Sequence, residues 1–216
     1  MTYRLTPAYE ACLCDGQIIL LDLSTDRYWL APPSQLAALC AVLDPGTRGE
    51  VNTSDLQDLL RAKIIEPCRA SDLPAPSLPP ADGARPAFVT HLSLTGVILA
   101  LMYQVRAIWL LQVHSLDWIR DHIRTQKHPT RSHSAMALAT VLQSFAQSER
   151  ILPSTDKCLR RSLALRLYLK AHGIDAKLVV AARLRPFGAH AWVQQGPHVL
   201  NDHLERVRPF TPLFAA

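Results

Sequence analysis

Near the end of this 216-residue sequence stand, in order, a residue able to act as a nucleophile, one able to act as a base and one able to orient that base: Cys158, His190 and Asp202. Cys158 follows Pro153-Ser154-Thr155-Asp156-Lys157, and Ser154, Thr155 and Asp156 are all good helix N-caps. Leu159, Leu163 and Leu167 then recur every four residues, with Leu165 and Leu169 widening the apolar face, as far as His172-Gly173, where glycine suits a left-handed C-cap. The pattern predicts a helix with Cys158 in its first turn. There the free backbone amides and the positive end of the dipole favour the thiolate, the reactive form of cysteine. Lys157, Arg160 and Arg161 add positive charge nearby. Lys177 to Leu184 reads as a strand, Arg185-Pro186-Phe187-Gly188 as a turn, Ala189 to Val193 as a second strand and His198 to Asp202 as a third. Gln195-Gly196-Pro197 separates the last two. In an antiparallel hairpin an odd loop sets residues of equal parity opposite each other, so this loop places His190 across from Asp202. A carboxylate there would hold the tautomer of an imidazole that takes the thiol proton.

Each of these residues also has an ordinary structural reading. A helical cysteine is commonly a small buried hydrophobe, and a strand histidine is commonly structural. The residues by themselves leave a catalytic triad and a structural trio both open. Trp192 reads as core or as a wall of the site, and Tyr28 and Trp29 as core with ligand contact as the alternative. No metal site is expected. His190, His198 and His203 match no zinc spacing, and Cys12 and Cys14, on one strand face, lack a second pair. Cys40 and Cys68 read as structural or incidental.

The elements that must position this chemistry follow from hydrophobic period. Ala8 to Cys14 and Gln17 to Leu23 flank Asp15-Gly16, a hairpin signal, and Arg27 to Leu30 gives a third strand. Pro33 to Leu43 reads as a helix with Ser34 as a cap and Leu36, Leu39, Cys40 and Leu43 on one face. A second helix starts near Thr53-Ser54-Asp55 with Leu56, Leu59 and Leu60 inward, and leads to Ile64-Ile65. Six prolines between Pro67 and Pro86 mark a linker. The expected organisation is α+β: residues 1–66 a winged-helix-like module of three strands and short helices, 67–86 a linker, and 87–216 the domain carrying the triad. Leu92 to Val113 is apolar enough to resemble a membrane span. Gln104 and Arg106 interrupt it, and a charge near a bilayer centre costs about 2.5–3.5 kcal/mol. The expectation is a helix buried in a core or under a partner. Trp118 to Gln126 and Ser134 to Ala146 read as further helices.

Composition sets limits on partners. Hydrophobic residues at 49% and charged residues at 19% exclude disorder and collagen-like repeats. Five cysteines and no basic-then-apolar start imply a reducing cytoplasm rather than a disulfide scaffold. Residues 1–80 hold 6 Lys/Arg against 10 Asp/Glu, and residues 81–216 hold 17 against 8. A winged-helix DNA-binding regulator with an inert C-terminal domain is therefore disfavoured, because its recognition half would be acidic where phosphate contacts need cations. The basic residues of the second half form no run with aromatic interleaving, so no nucleic-acid partner is expected.

The segments Cys158-Leu159-Arg160-Arg161-Ser162-Leu163-Ala164-Leu165, Gly173-Ile174, Ala189-His190-Ala191-Trp192-Val193 and Val199-Leu200-Asn201-Asp202 together resemble the lasso-peptide biosynthesis B-protein family, leader peptidases with a transglutaminase-like, papain-related core. The resemblance covers about 50 residues. It implies Cys158 as nucleophile, His190 as general base and Asp202 as orienter, with no cofactor for this chain. The amide of Cys158 is the expected oxyanion donor. The first module resembles the precursor-recognition element similar to the carrier protein of pyrroloquinoline quinone synthesis. The resemblance implies that a leader peptide adds as a strand beside Arg27, Tyr28, Trp29 and Leu30 and packs on Leu56, Leu59 and Leu60. It further implies a lasso precursor peptide as substrate and an asparagine-synthetase-like cyclase as partner, any ATP use falling to that cyclase. A transglutaminase-type acyl transfer by the same triad is the alternative within enzymes.

Overall fold

The computed structural model describes residues 2–44, 52–69, 93–125, 135–153 and 157–216. Its first strand, β1 (Thr2–Leu5), finds its antiparallel partner only at β5 (Ile65–Cys68). This ribbon of distant segments has no local turn signal, and the sequence reading passed over it. Pro67 and Cys68, expected to begin the linker, belong to β5 instead, with Pro67 opposite Tyr3. A two-stranded ribbon tolerates proline because each strand keeps an open edge. Residues 70–86 of the expected linker, and the capping candidates Ser154, Thr155 and Asp156, lie outside the described residues.

Asp15 and Gly16 adopt φ of 50° and 74°, the primed-turn geometry that Asp-Gly favours. They join β2 (Tyr9–Cys14) to β3 (Gln17–Asp22), and β4 (Arg27–Leu30) completes an antiparallel sheet of order β2-β3-β4. The centre of β3 is a continuous apolar run, Ile18-Ile19-Leu20-Leu21, and all four side chains are buried. Side chains alternate across a strand, so such a run must be covered twice. Ile18 and Leu20 face a core closed by α1 (Leu36–Leu43), α2 (Thr53–Arg61) and Ile65. Ile19 and Leu21 face the core of the C-terminal half, together with Leu163, Ala182 and Phe214. Ser34 does not cap the first helix. It lies inside a 3-10 turn, Pro33–Gln35, that precedes α1 and is entered from Pro32, the fixed φ of proline starting the turn. Asn52 caps α2, its Oδ1 accepting the Ser54 N–H at 3.1 Å.

The second half opens with α3 (Leu94–Val113), α4 (Leu116–Thr125) and α5 (Ala135–Ile151), continues through α6 (Cys158–Ala171) and ends in β6 (Lys177–Arg183), β7 (Gly188–Gln195), β8 (His198–Val199), α7 (Leu204–Val207) and β9 (Thr211–Ala215). Its sheet is antiparallel, in the order β8-β7-β6-β9. Helix α6 is buried over Ser162 to Leu169 because α3 covers one side and β6 and β7 the other. Helix α3 is long and apolar enough to cross a membrane by length and composition. Its inner face packs on α5 and α6, with buried Gln104 donating to Ser148 Oγ at 2.6 Å. The outer face leaves Leu94, Ile98, Met102, Val105 and Trp109 exposed.

The two halves are bolted together by polar contacts as well as by the shared core. Arg120, only 3% exposed, donates to Glu10 Oε1 at 2.9 Å and to the Pro7 carbonyl at 2.7 Å. The Asp117 N–H reaches the Leu23 carbonyl at 3.2 Å, and the Cys14 thiol donates to the Ala182 carbonyl at 3.6 Å.

Candidate active site

Cys158 is the first residue of α6, where the amides of the opening turn have no intrahelical partner. His190 sits on β7, and its Nε2 lies 2.7 Å from Asp202 Oδ2. The imidazole also bonds the Cys158 sulfur. Since Asp202 occupies Nε2, Nδ1 is the nitrogen that faces the thiol. The backbone N–H groups of Ala191 and Leu159 point at the same sulfur. Burial alone would push the Cys158 thiol up, but the His190 hydrogen bond and charge, with these two N–H groups, outweigh it and hold the thiol below its ordinary value. Asp202 and then Cys158 hold the imidazolium against burial and push His190 up to about 9. Burial raises Asp202, but His190, the His203 N–H and Arg206 prevail and keep its carboxyl below the usual range. A thiol lowered by the same imidazole that it helps to hold protonated is a pair in which each partner favours the charged form of the other.

The register that delivers Asp202 differs from the expectation. Gln194 pairs with Val199 and Gln195 with His198, so the hairpin loop is Gly196-Pro197 rather than three residues long. Continued, that register would turn Asp202 to the face opposite His190. The strand stops after Val199 instead. The Asn201 side chain takes over the ladder, its Oδ1 accepting the Val193 N–H at 2.8 Å, and the chain leaves the sheet with Asp202 swung onto His190.

Two residues that the sequence reading passed over hold this arrangement. Ser162, one turn after Cys158 and fully buried, donates to the Ala191 carbonyl at 2.9 Å, and the Asn201 Nδ2 donates to Ser162 Oγ at 2.9 Å. One hydroxyl thus links the nucleophile's helix to the residue after His190 and the residue before Asp202. The legible signal was the serine's four-residue spacing from Cys158 and the asparagine adjacent to Asp202. Ser162→Ala should cost about 1–3 kcal/mol of stability, because it strands buried polar groups. It should also lower turnover about tenfold and move the alkaline limb of the pH–rate profile below 9, as Asp202 loses its seat. Purely structural loss would leave that limb in place.

The triad opens into a cleft of about 690 Å³ whose walls include Arg161, Arg183 and Phe210. Trp192 is core, 2% exposed, with its Nε1 donating to Gln194 Oε1 at 3.0 Å. Among the described residues no group of three or more His, Cys, Asp and Glu is arranged to hold a metal. Cys12 and Cys14 lie with sulfurs 3.6 Å apart and buried. Burial first, and the neighbouring thiol second, push Cys12 up, the reverse of Cys158 and the signature of an unreactive thiol.

The residues expected to meet a leader peptide divide between two faces. On β4, Arg27 and Leu30 are exposed. Trp29 packs edge-on against Tyr9, ring centroids 5.5 Å apart, in the same core as Leu56, Leu59 and Leu60, of which Leu59 is fully buried. Tyr28 points the other way, 5.7 Å edge-on from Phe187 in the β6–β7 turn. Burial, and next the charge of Cys158, push its hydroxyl up to about 12. The N-terminal sheet therefore reaches the neighbourhood of the Cys158 sulfur.

Over 45 residues the chain is 47% identical to the microcin J25-processing protein McjB of Escherichia coli, a match covering 21% of this chain and 22% of that protein. The chain thus spans about a fifth of the length of the relative it matches. No solved structure matches. Residues 100–215, more than half of the chain, match the family model described as the transglutaminase-like superfamily, and this stretch holds every member of the triad. With Cys158 on a helix and His190 on an antiparallel sheet within the matched stretch, the chain belongs to the transglutaminase-like superfamily, which includes cysteine peptidases and acyltransferases.

Proposed function

We propose that the protein is a cysteine peptidase that removes the leader from a ribosomally made lasso precursor peptide. The observation that carries this reading is the meeting of Cys158, at the start of its helix, with His190 and its partner Asp202 in the wall of one cleft. The short similarity to a microcin-processing protein supports the substrate class. The thiolate attacks the carbonyl carbon of the scissile bond, and His190 delivers its proton to the departing amine. Water then cleaves the thioester with His190 as base. The Cys158 N–H at the start of α6 is placed to meet the oxyanion.

The N-terminal half acts as a winged-helix-like recognition module. β4 is the last strand of its sheet, and a leader pairing along that edge would be held by backbone bonds beside Arg27 and Leu30, with Trp29, Leu56 and Leu60 giving register. The freed core amine passes to an asparagine-synthetase-like cyclase that consumes ATP. The five free thiols suit a reducing cytoplasm.

The test is incubation of the full-length protein with a precursor peptide in oxygen-18 water, followed by mass spectrometry. Hydrolysis yields a free core peptide and a leader whose new carboxylate carries the heavy oxygen. A leader joined to an added amine, without heavy oxygen, would establish acyl transfer instead. An intact precursor would remove the peptide reading.

A further inference from the structure

Among the described residues, the cleft holds one cation that its own walls do not use. Arg161 pairs with Glu149, and Arg206 lies 3.9 Å from Asp202 Oδ1. Arg183 has no acidic partner among the described residues, and its Nε is buried without a hydrogen bond. Yet its position is built. Its guanidinium carbon sits 5.0 Å from the Phe210 ring centroid, a stacking geometry that orients the planar fork. Gly188, its partner across the β6–β7 ladder, leaves the space it fills: a Cβ there would come within 3.2 Å of Nε.

Register ties this arginine to the chemistry. Ala181 pairs with His190, and Arg183, two residues on, lies on the same sheet face. Such diagonal neighbours are about 7–8 Å apart, the length of about two residues of extended peptide. Phe210 also contacts the imidazole, with centroids 5.2 Å apart. On its other side the Arg183–Gly188 pair is the last before the turn that carries Phe187, which Tyr28 of β4 touches. Contacts therefore run from the proposed leader strand through Arg183 to His190.

Resting on the peptidase reading, the geometry points to Arg183 as a specificity subsite that takes the carboxylate of an Asp or Glu one or two residues before the scissile bond. A guanidinium fork matches a carboxylate in two parallel hydrogen bonds, and an acidic substrate side chain would supply the partner that the described residues do not.

The experiment uses the full-length protein and N-acetyl tripeptidyl vinyl sulfones carrying Asp, Asn or Lys at the first or second residue before the warhead. The Cys158 thiolate adds to the β-carbon of the vinyl group and the α-carbon takes up a proton, so labelling reports cleft binding whether the natural reaction is hydrolysis or acyl transfer. At one of the two positions the Asp probe should label about tenfold faster than the Asn probe or better, the range of a charged hydrogen bond, with Lys slowest. With each rate taken relative to the same protein's iodoacetamide labelling of Cys158, Arg183→Gln should bring the Asp-to-Asn ratio to about one, and Arg183→Lys should keep part of it. Equal rates for Asp and Asn at both positions in the wild type, or a preference that survives in Arg183→Gln, overturns the subsite. If iodoacetamide labels Cys158 and no peptidyl probe does, the peptide reading itself fails, and the subsite with it.

Discussion

Cys158→Ala should abolish leader removal and leave the protein folded. The side chain is only partly buried and loses a single sulfur, so the melting temperature should stay within a few degrees of the wild type. Turnover, in contrast, loses the atom that forms the covalent intermediate, and removal of a nucleophile of this kind costs on the order of 10⁶ in kcat. Mass spectrometry of the precursor after incubation reads the result directly, and cleavage at an undiminished rate would refute Cys158 as the nucleophile. The contrast within the same chain sharpens the test. Changing Cys12 and Cys14 to alanine should lower stability, since both are buried in the shared core, and should leave cleavage in place, since neither lines the cleft.

Asp202→Asn should have the second largest effect and a distinct signature in pH. In the wild type, the rate should rise on the acid side as the thiolate forms, below the ordinary thiol value, and fall as His190 loses its proton near 9. The sign follows from the direction of the shift. The folded state holds the His190 proton more tightly than a solvent-exposed histidine at 6.5 would, so the stabilisation from the imidazolium is complete below 6.5 and is lost as the pH rises through about 9. The first cause of that shift is the Asp202 hydrogen bond. An amide in its place withdraws it, so the alkaline limb should move from about 9 toward 6.5, and kcat should drop by about 10²–10⁴. The loss is smaller than for Cys158→Ala because the helix N-terminus and the Ala191 N–H still support the thiolate. An Asp202→Asn protein with the wild-type rate and an unmoved alkaline limb would dismiss Asp202 as the orienting group.

What could be read from the sequence was what depends on neighbours along the chain. Asp15-Gly16 dictates its hairpin, and the leucine spacing after Cys158 marks α6 because a helix buried against neighbours must show that period. Asp202 lies against His190, but strand register does not bring it there. Equal parity requires a strand as far as Asp202, whereas Asn201 ends the ladder with its side chain and turns the next residue over. A side chain that replaces a backbone bond leaves no trace in hydrophobic alternation. The β1–β5 ribbon was hidden for a different cause, since its partners are joined only through tertiary contacts. Ser162 was hidden because a serine inside a helix looks like a neutral surface residue until its partners, Ala191 and Asn201, are known.

The double burial of β3 has a consequence for how the chain must be made. Its second face is sealed by residues that are translated much later: the Cys14 thiol meets the Ala182 carbonyl 168 positions downstream. At ribosomal speeds of about 5–20 residues per second, that interval is on the order of ten to thirty seconds. Throughout it, a nascent hairpin with Ile19 and Leu21 uncovered stands ready to stick to other emerging chains. Synthesis of this protein is thus a race between elongation and aggregation, and slow codons between residues 23 and 163 would be harmful where in most proteins they are neutral or helpful.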